Sequence, residues 1–308
     1  MGMNLVITVD IDNDGAQSNE RTSLSWKAIE YVPRIKELFD SFNLCVTWFV
    51  RADNQLLDIY GTAAYLLLKH QSLWSQMESA GDELAWHPHL YKWCEAGQQY
   101  ICEPDDLERV QKLNDTYGEL KSKGFEFPTV RIGEAFHSNA MLEALEMLSL
   151  KVDATAIPGR KRSDEARQFD WEPTPNEPYY PSKIDYRIPD PTNQRNILEV
   201  PMTTIPVKAD YDNEYLPRYI NPTFFHPYFK EGIDHHLASR LNTMGEQFLT
   251  IVMHPDEVAD TPRAHSLYSF SFAEMRKNIA YLLETLKVRG FEYRALRVRD
   301  VLPRFCDK

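Results

Sequence analysis

No apolar run in the 308-residue sequence approaches the ~20 residues that a membrane-spanning helix needs, so no membrane span is expected. Basic charge is in deficit. Lys and Arg number 34 against 46 Asp and Glu, for a net charge of −12. Such a chain repels phosphate backbones at long range, which argues against a nucleic-acid partner. Cysteine is sparse, and Cys45, Cys94, Cys102 and Cys306 form no C-x-x-C pair. The segment Met1–Asp10 has no basic n-region, no long apolar stretch and no small-residue cleavage site. It reads as a strand rather than a signal peptide, so the expectation is a cytoplasmic protein with reduced thiols. Repeats, low-complexity tracts and an inter-domain linker are also absent. Residues 1–308 therefore read as a single domain.

What is present is an alternation of apolar runs and helical patterns, the mark of an α/β fold with mostly parallel strands. Leu5–Val9, Leu44–Val50, Glu83–Trp86, Phe127–Ile132, Leu150–Ala154, Ile197–Thr203, Phe248–Met253 and Tyr293–Val298 read as strands. Helices are expected from Pro33, over 55–79, from Pro104 to Gly124, around Met141–Leu148, and after a Ser271/Glu274 capping box. Two stretches break the pattern. Residues 157–191 hold seven prolines, and 205–229 are irregular and aromatic. Loops this long are usually functional or mobile, and the tyrosines and tryptophan of the first argue against simple disorder. The expected fold class is α/β, a single distorted (β/α) barrel of about seven parallel strands with long aromatic and Pro-rich loops.

In such folds the active site lies at the C-terminal ends of the strands. The strand ends here carry Asp10, Asp12 and Asp14, then His87 and His89, Arg131 and Glu134, Asp153, and His254, Asp256 and Glu257. The Asp10–Gly15 segment begins like a calcium loop. However, Arg21 stands at the twelfth position, where the loop needs Glu, and a strand precedes it instead of a helix. It also resembles the Asp-x-Asp motif of aspartate-nucleophile phosphatases, but the only adjacent Asp-Asp pair is Asp105–Asp106, at a helix start. Two histidines one residue apart, as in His87-Pro88-His89, point the same way in an extended segment. With the carboxylate of Asp12 they make a catalytic-type donor set for a divalent metal, zinc by ligand type.

In order along nearly the whole chain, these motifs resemble those of the polysaccharide deacetylase (NodB-homology, carbohydrate esterase 4-like) superfamily. Ile7-Thr-Val-Asp10-Ile-Asp12 is similar to its first motif, Thr-Phe-Asp-Asp-Gly, with one extra residue between the aspartates. Thr47–Val50 resembles the strand that follows. Asp82–His87 resembles the approach to the second motif, whose usual His-x-x-x-His spacing puts Tyr91 opposite His87, with His89 as the natural replacement. Arg131, with Asn139 and Leu142, is similar to the third motif, and Val152-Asp153 and Asp170-Trp171 to parts of the fourth. Ile251–His254 resembles the fifth.

The resemblance implies a metal-dependent hydrolase of an amide bond, most simply a deacetylase of an N-acetylated sugar or glycan intermediate. A small non-sugar amide or ureide is the other substrate class, and a non-catalytic carbohydrate-binding protein the other type of function. In the enzyme, Asp10 is the base, oriented by Arg131. His254 is the general acid, supported by Asp153 or Asp170. Asp12, His87 and His89 hold the metal. Trp171, Tyr179, Tyr180 and Tyr186 are expected to wall the substrate pocket, with Trp171 and Tyr180 as the substrate-binding pair. His235-His236 reads as surface at a helix start, and His137, His226 and His265 carry no assigned role.

Overall fold

The computed structural model describes residues 2–14, 21–163, 168–241, 245–259 and 267–306. His265 and Gly15–Glu20 lie outside them. Eight parallel strands build the central sheet. They are β1 Gly2–Ile11, β2 Thr47–Arg51, β3 Glu83–His87, β4 Thr129–Val130, β5 Val152–Asp153, β6 Leu198–Glu199, β7 Glu246–Met253 and β8 Glu292–Leu296. Seven of them run in the order β6-β5-β4-β3-β2-β1-β7, and β8 also pairs with β1. One edge of β1 is shared: Gly2–Val6 pair with β8, and Thr8–Ile11 pair with β2. The sheet curls until its ends meet. Thr203 N–H donates to Thr250 O at 3.1 Å, and Val252 N–H to Ile220 O at 3.0 Å. This is a distorted (β/α) barrel, as the alternation predicts.

Alternation within β1 explains how one strand serves two layers. Leu5, Ile7, Val9 and Ile11 belong to the large core between sheet and helices. Val6 belongs to the smaller core, with Phe49, Ala85, Val152, Ala154, Leu198 and Phe248. Side chains on a strand alternate with period two. Thr8, Asp10 and Asp12 therefore follow Val6 along the inner face, up to the mouth of the barrel. The same rule carries β3 from Ala85 to His87, and β7 from Phe248 through Thr250 and Val252 to His254.

Outside pack the helices α1 Val32–Asp40, α2 Asn54–Tyr60, α3 Tyr65–Lys69, α4 Gln71–Ser79, α5 Asp106–Ser122, α6 Asn139–Met147, α7 His226–Arg240, α8 Phe272–Val288 and α9 Val301–Cys306. The single long helix expected over 55–79 is three short ones. Gly61 ends α2 in the left-handed region at φ 77°, where glycine has no Cβ to clash. The Ser271/Glu274 capping box does not form at α8. The Glu274 carboxylate instead accepts the His226 amide at 3.2 Å, at the start of α7. The strands expected at 127–132, 150–154 and 197–203 shrink to two residues each.

The two irregular stretches fold partly as antiparallel hairpins, Lys161–Ser163 with Gln168–Asp170 and Thr204–Val207 with Leu216–Tyr219. A third hairpin pairs Tyr91–Cys94 with Gln99–Cys102. Among the described residues, no helix is long and apolar enough to cross a membrane.

Candidate metal centre and active site

At the barrel mouth an open cavity of about 640 Å³ is lined by Asp10, Asp12, His87, His89, Arg131 and His254, together with loop residues. Asp10 ends the inner row of β1 and is buried. Arg131 donates from Nη1 to Asp10 Oδ1 at 2.6 Å and to Thr8 Oγ1 at 2.9 Å, and from Nε to Ala154 O at 2.8 Å. Its guanidinium carbon lies 4.2 Å from the centre of the Phe49 ring. The arginine is thus fixed on three sides, and it holds one oxygen of Asp10 while the other faces the cavity side of the pair.

The three remaining expected ligands do converge. Suitable donor atoms of Asp12, His87 and His89 all lie within 4.8 Å of one another. The hydrogen bonds behind the rings decide their tautomers. His87 Nδ1 lies 2.7 Å from Arg131 O, an acceptor only, so Nδ1 carries the hydrogen. Tyr91 donates its hydroxyl hydrogen to Glu134 Oε1 at 2.9 Å. Its oxygen can then only accept from His89 Nδ1, at 3.0 Å. Both rings therefore turn unprotonated Nε2 atoms forward, 3.3 Å apart. Asp12 Oδ1 lies 2.9 Å from one and 3.6 Å from the other.

With both imidazoles neutral, three electron-pair donors meet there, an arrangement that repels unless a positive charge joins it. The electrostatics agree. Burial alone would raise the Asp12 carboxyl, yet His89 and His87 hold it well below the usual carboxylate range. Burial alone would lower His87, yet Asp12 and Asp10 hold it above the usual histidine value. The donor chemistry and spacing fit zinc. Two imidazole nitrogens on one tetrahedral zinc, each bonded at about 2.05 Å, lie about 3.3 Å apart.

The supports of this centre are built into neighbouring strand ends. Asp53 caps α2 by accepting Leu56 N–H at 3.0 Å, and it accepts His89 N–H at 3.2 Å. Arg51 donates to Asp53 at 2.6 Å. Gly133 lies against the His89 ring so closely that a Cβ there would stand 2.5 Å from three ring atoms. Glu134 and Ala135 follow at φ 58° and 54°, an uncommon conformation for residues with side chains. This turn aims Glu134 at Tyr91. The Tyr91 hydroxyl thus lies behind the His89 ring, on its Nδ1 rather than its Nε2 side.

His254 stands across from the aspartates, with Nε2 4.0 Å from Asp10 Oδ2 and 3.9 Å from Asp12 Oδ2. Its partner corrects the expectation. Neither Asp153 nor Asp170 reaches it; His254 Nδ1 donates to Glu257 Oε1 at 3.2 Å. Glu257 also accepts His254 N–H at 2.9 Å and Asn221 Nδ2 at 2.7 Å. Burial works against the imidazolium, but Glu257, Tyr219 and Asp10 hold it well above the usual histidine value. Asp153 is sent elsewhere by strand alternation. Val152 and Ala154 face the barrel interior, so Asp153 faces out, where it meets His137 Nε2 and Thr155 Oγ1, both at 2.5 Å. Asp170 pairs with Lys161 at 3.1 Å and Arg187 at 2.9 Å.

The expected aromatic wall is also redistributed. Trp171 is buried behind the cavity, with its indole N–H on Ala135 O at 2.8 Å and edge-on contacts to His137 and Tyr186. Tyr180 packs against Phe305 with ring centres 5.6 Å apart and does not line the cavity. Phe169 and Tyr219 line it instead. His236 is buried late in α7 rather than exposed at its start. Asp14 accepts the amides of Lys27 and Ala28, at 2.7 and 2.9 Å, and so anchors a loop. The Asp105–Asp106 pair that a phosphatase would need at its site is also structural: Asp105 caps α5, and Asp106 binds Arg109 at 2.7 Å.

Glu257 had a signal in the sequence. His254-Pro-Asp-Glu257 has the i, i+3 spacing of a capping box. The Gly133–Glu134 turn had none, because positive φ at a glutamate follows no residue-type preference.

No family model matches the sequence, and no curated protein matches it. Solved structures do resemble the fold. PuuE allantoinase aligns at TM-score 0.56 with 14% identity, over 97% of this chain and 88% of that one. A Mycobacterium smegmatis protein assigned as a polysaccharide deacetylase aligns at TM-score 0.49 and 15% identity, over 96% and 93%. The chitin deacetylase of Colletotrichum lindemuthianum aligns at 0.43 and 12%, over 96% and 86%. The chain therefore shares the overall fold of PuuE allantoinase.

Proposed function

We propose that the protein is a metal-dependent hydrolase of a C–N amide bond, acting on an N-acetylated sugar or glycan intermediate. The observation that carries this reading is the forward-facing donor set of Asp12, His87 and His89, beside an arginine-held aspartate and across from a glutamate-held histidine. Two imidazoles and one carboxylate make zinc the ion of choice. Such an ion, when bound, polarises the substrate carbonyl and lowers the pKa of water.

The chain's own groups do the rest. Asp10, kept beside the Arg131 guanidinium, takes the proton of the attacking water. Arg131 binds one oxygen of Asp10 and leaves the other to the water. His254, charged through Glu257, gives its Nε2 proton to the leaving nitrogen, which then departs as an amine. Without that proton the departing group would be an amide anion, a very poor leaving group.

A small ureide is the second substrate class for the same residues, and the fold likeness to PuuE allantoinase favours it. The deciding experiment measures amine release from N-acetylated sugars, and ureide loss, by the zinc-loaded protein and its His254→Ala variant. The variant should lose roughly 10²–10⁴-fold in turnover, the usual worth of a positioned general acid, and keep its metal. Magnesium-dependent phosphate release from aryl phosphates, surviving in His254→Ala, would overturn the hydrolase reading in favour of a phosphatase.

A further inference from the structure

The cavity carries two arginines that amide hydrolysis does not use. Residues 160–163 run into the hairpin Lys161–Ser163, where alternate side chains take opposite sides. Lys161 turns outward to Asp170, at 3.1 Å. Arg160 and Arg162 turn inward and line the cavity. Phe169, the register partner of Arg162, lines it too, with its ring centre 6.0 Å from the Arg160 guanidinium carbon.

Arg160 is the unusual one. It is half-buried, and it forms no ion pair or side-chain hydrogen bond among the described residues. Its neighbour Arg218 shows the contrast. That guanidinium is neutralised by both oxygens of Asp212, at 2.9 and 2.8 Å. Burial pulls Arg160 below the usual arginine range, Arg218 and Arg162 add to the effect, and no carboxylate stands among its main electrostatic neighbours. A charge withdrawn from water without a partner costs free energy. An anion arriving in the cavity removes that cost. A guanidinium fork also matches carboxylate and phosphate oxygens in shape.

We propose that Arg160, assisted by Arg162, is an anion-binding subsite and that the substrate is an acidic amide. Its acylated nitrogen lies at the metal centre, and a carboxylate or phosphate elsewhere on the molecule is held by Arg160. The amide half rests on the hydrolase reading above, whereas the anion half stands by itself. Neutral amides offer the guanidinium no counter-charge, so the subsite favours acidic ones over them.

The test is calorimetric titration of the zinc-loaded protein with three related probes. These are N-acetylglucosamine 1-phosphate, N-acetylmuramic acid and uncharged N-acetylglucosamine. At least one charged probe should bind about 10- to 100-fold more tightly than the neutral sugar, the usual range for a charge-assisted contact. Which one does so distinguishes phosphate from carboxylate. Arg160→Gln should erase the preference, leave the neutral sugar's affinity and the zinc content unchanged, and be partly rescued by Arg160→Lys.

Equal binding of charged and neutral probes, or no binding of the charged ones, overturns the proposal. So does a preference that survives in the Arg160→Gln/Arg162→Gln double variant, since the metal ion alone would then account for it. Failure of the hydrolase reading would appear separately, as bound sugars that release no amine.

Discussion

Replacing Gly133 by Ala tests the metal centre through a residue that binds no metal. The new Cβ would stand 2.5 Å from Cγ, Cδ2 and Nε2 of His89, roughly 1 Å inside normal contact. The ring cannot slide away freely. Its Nδ1 is tied to Tyr91, its backbone N–H to Asp53, and its far edge meets His87 and Asp12. Metal sites tolerate ligand displacements of about 0.2 Å, so a shift of this size takes His89 out of ligand range. Disturbing a ligand's supports typically lowers metal affinity by 10–100-fold, and losing the ligand itself belongs at the upper end of that range or beyond. Overpacking should cost about 1–3 kcal/mol of stability, too little to unfold a typical domain. Zinc affinity, measured by chelator competition, should therefore fall by about 100-fold while the thermal unfolding transition remains cooperative. Wild-type zinc affinity in Gly133→Ala would refute the placement of His89 as a ligand.

Three further outcomes are expected. Asp10→Asn should keep the fold and the metal but lose roughly 10²–10⁴-fold in turnover, because an amide cannot take a proton from water; parallel loss of zinc would mean that Asp10 and Asp12 exchange roles. Tyr91→Phe removes the acceptor that fixes the His89 tautomer, and should weaken zinc about 10-fold with little change in stability; unchanged affinity would make Tyr91 mere packing. Glu257→Gln removes the anion that holds His254 above the usual histidine value. The imidazolium then loses its proton at lower pH, so the basic limb of the kcat/KM profile should move to lower pH, and an unmoved limb would separate His254 from the acid role.

Much of the architecture was readable from strand and helix periodicity, because barrel strands carry long apolar runs such as Leu5–Val9 and Phe248–Met253. Placement of Asp10, Asp12, His87 and His254 on one face follows from the same period-two rule applied at strand ends. The residue between the two aspartates keeps both on the inner face, since β1 stays extended through Ile11. Asp153 misled for a related reason. Two residues of strand suffice to set its direction, and Val152 and Ala154 beside it already point inward. Trp171 and Tyr180 have the ring chemistry of sugar contacts, but a loop's aromatics pin it to the barrel as readily as they line a cavity, and here they do the former. Arg160 and Arg162 stand in no strand of the barrel, so no strand-end rule reaches them, and only the hairpin turns them inward.

The most direct test of the central claim is amine release from an acylated substrate while zinc is titrated into metal-free protein. The account predicts activity that rises linearly and breaks at one zinc per chain, with no such rise in a His87→Ala/His89→Ala variant. Amine release that is already full without metal, or that rises equally in that variant, would contradict it.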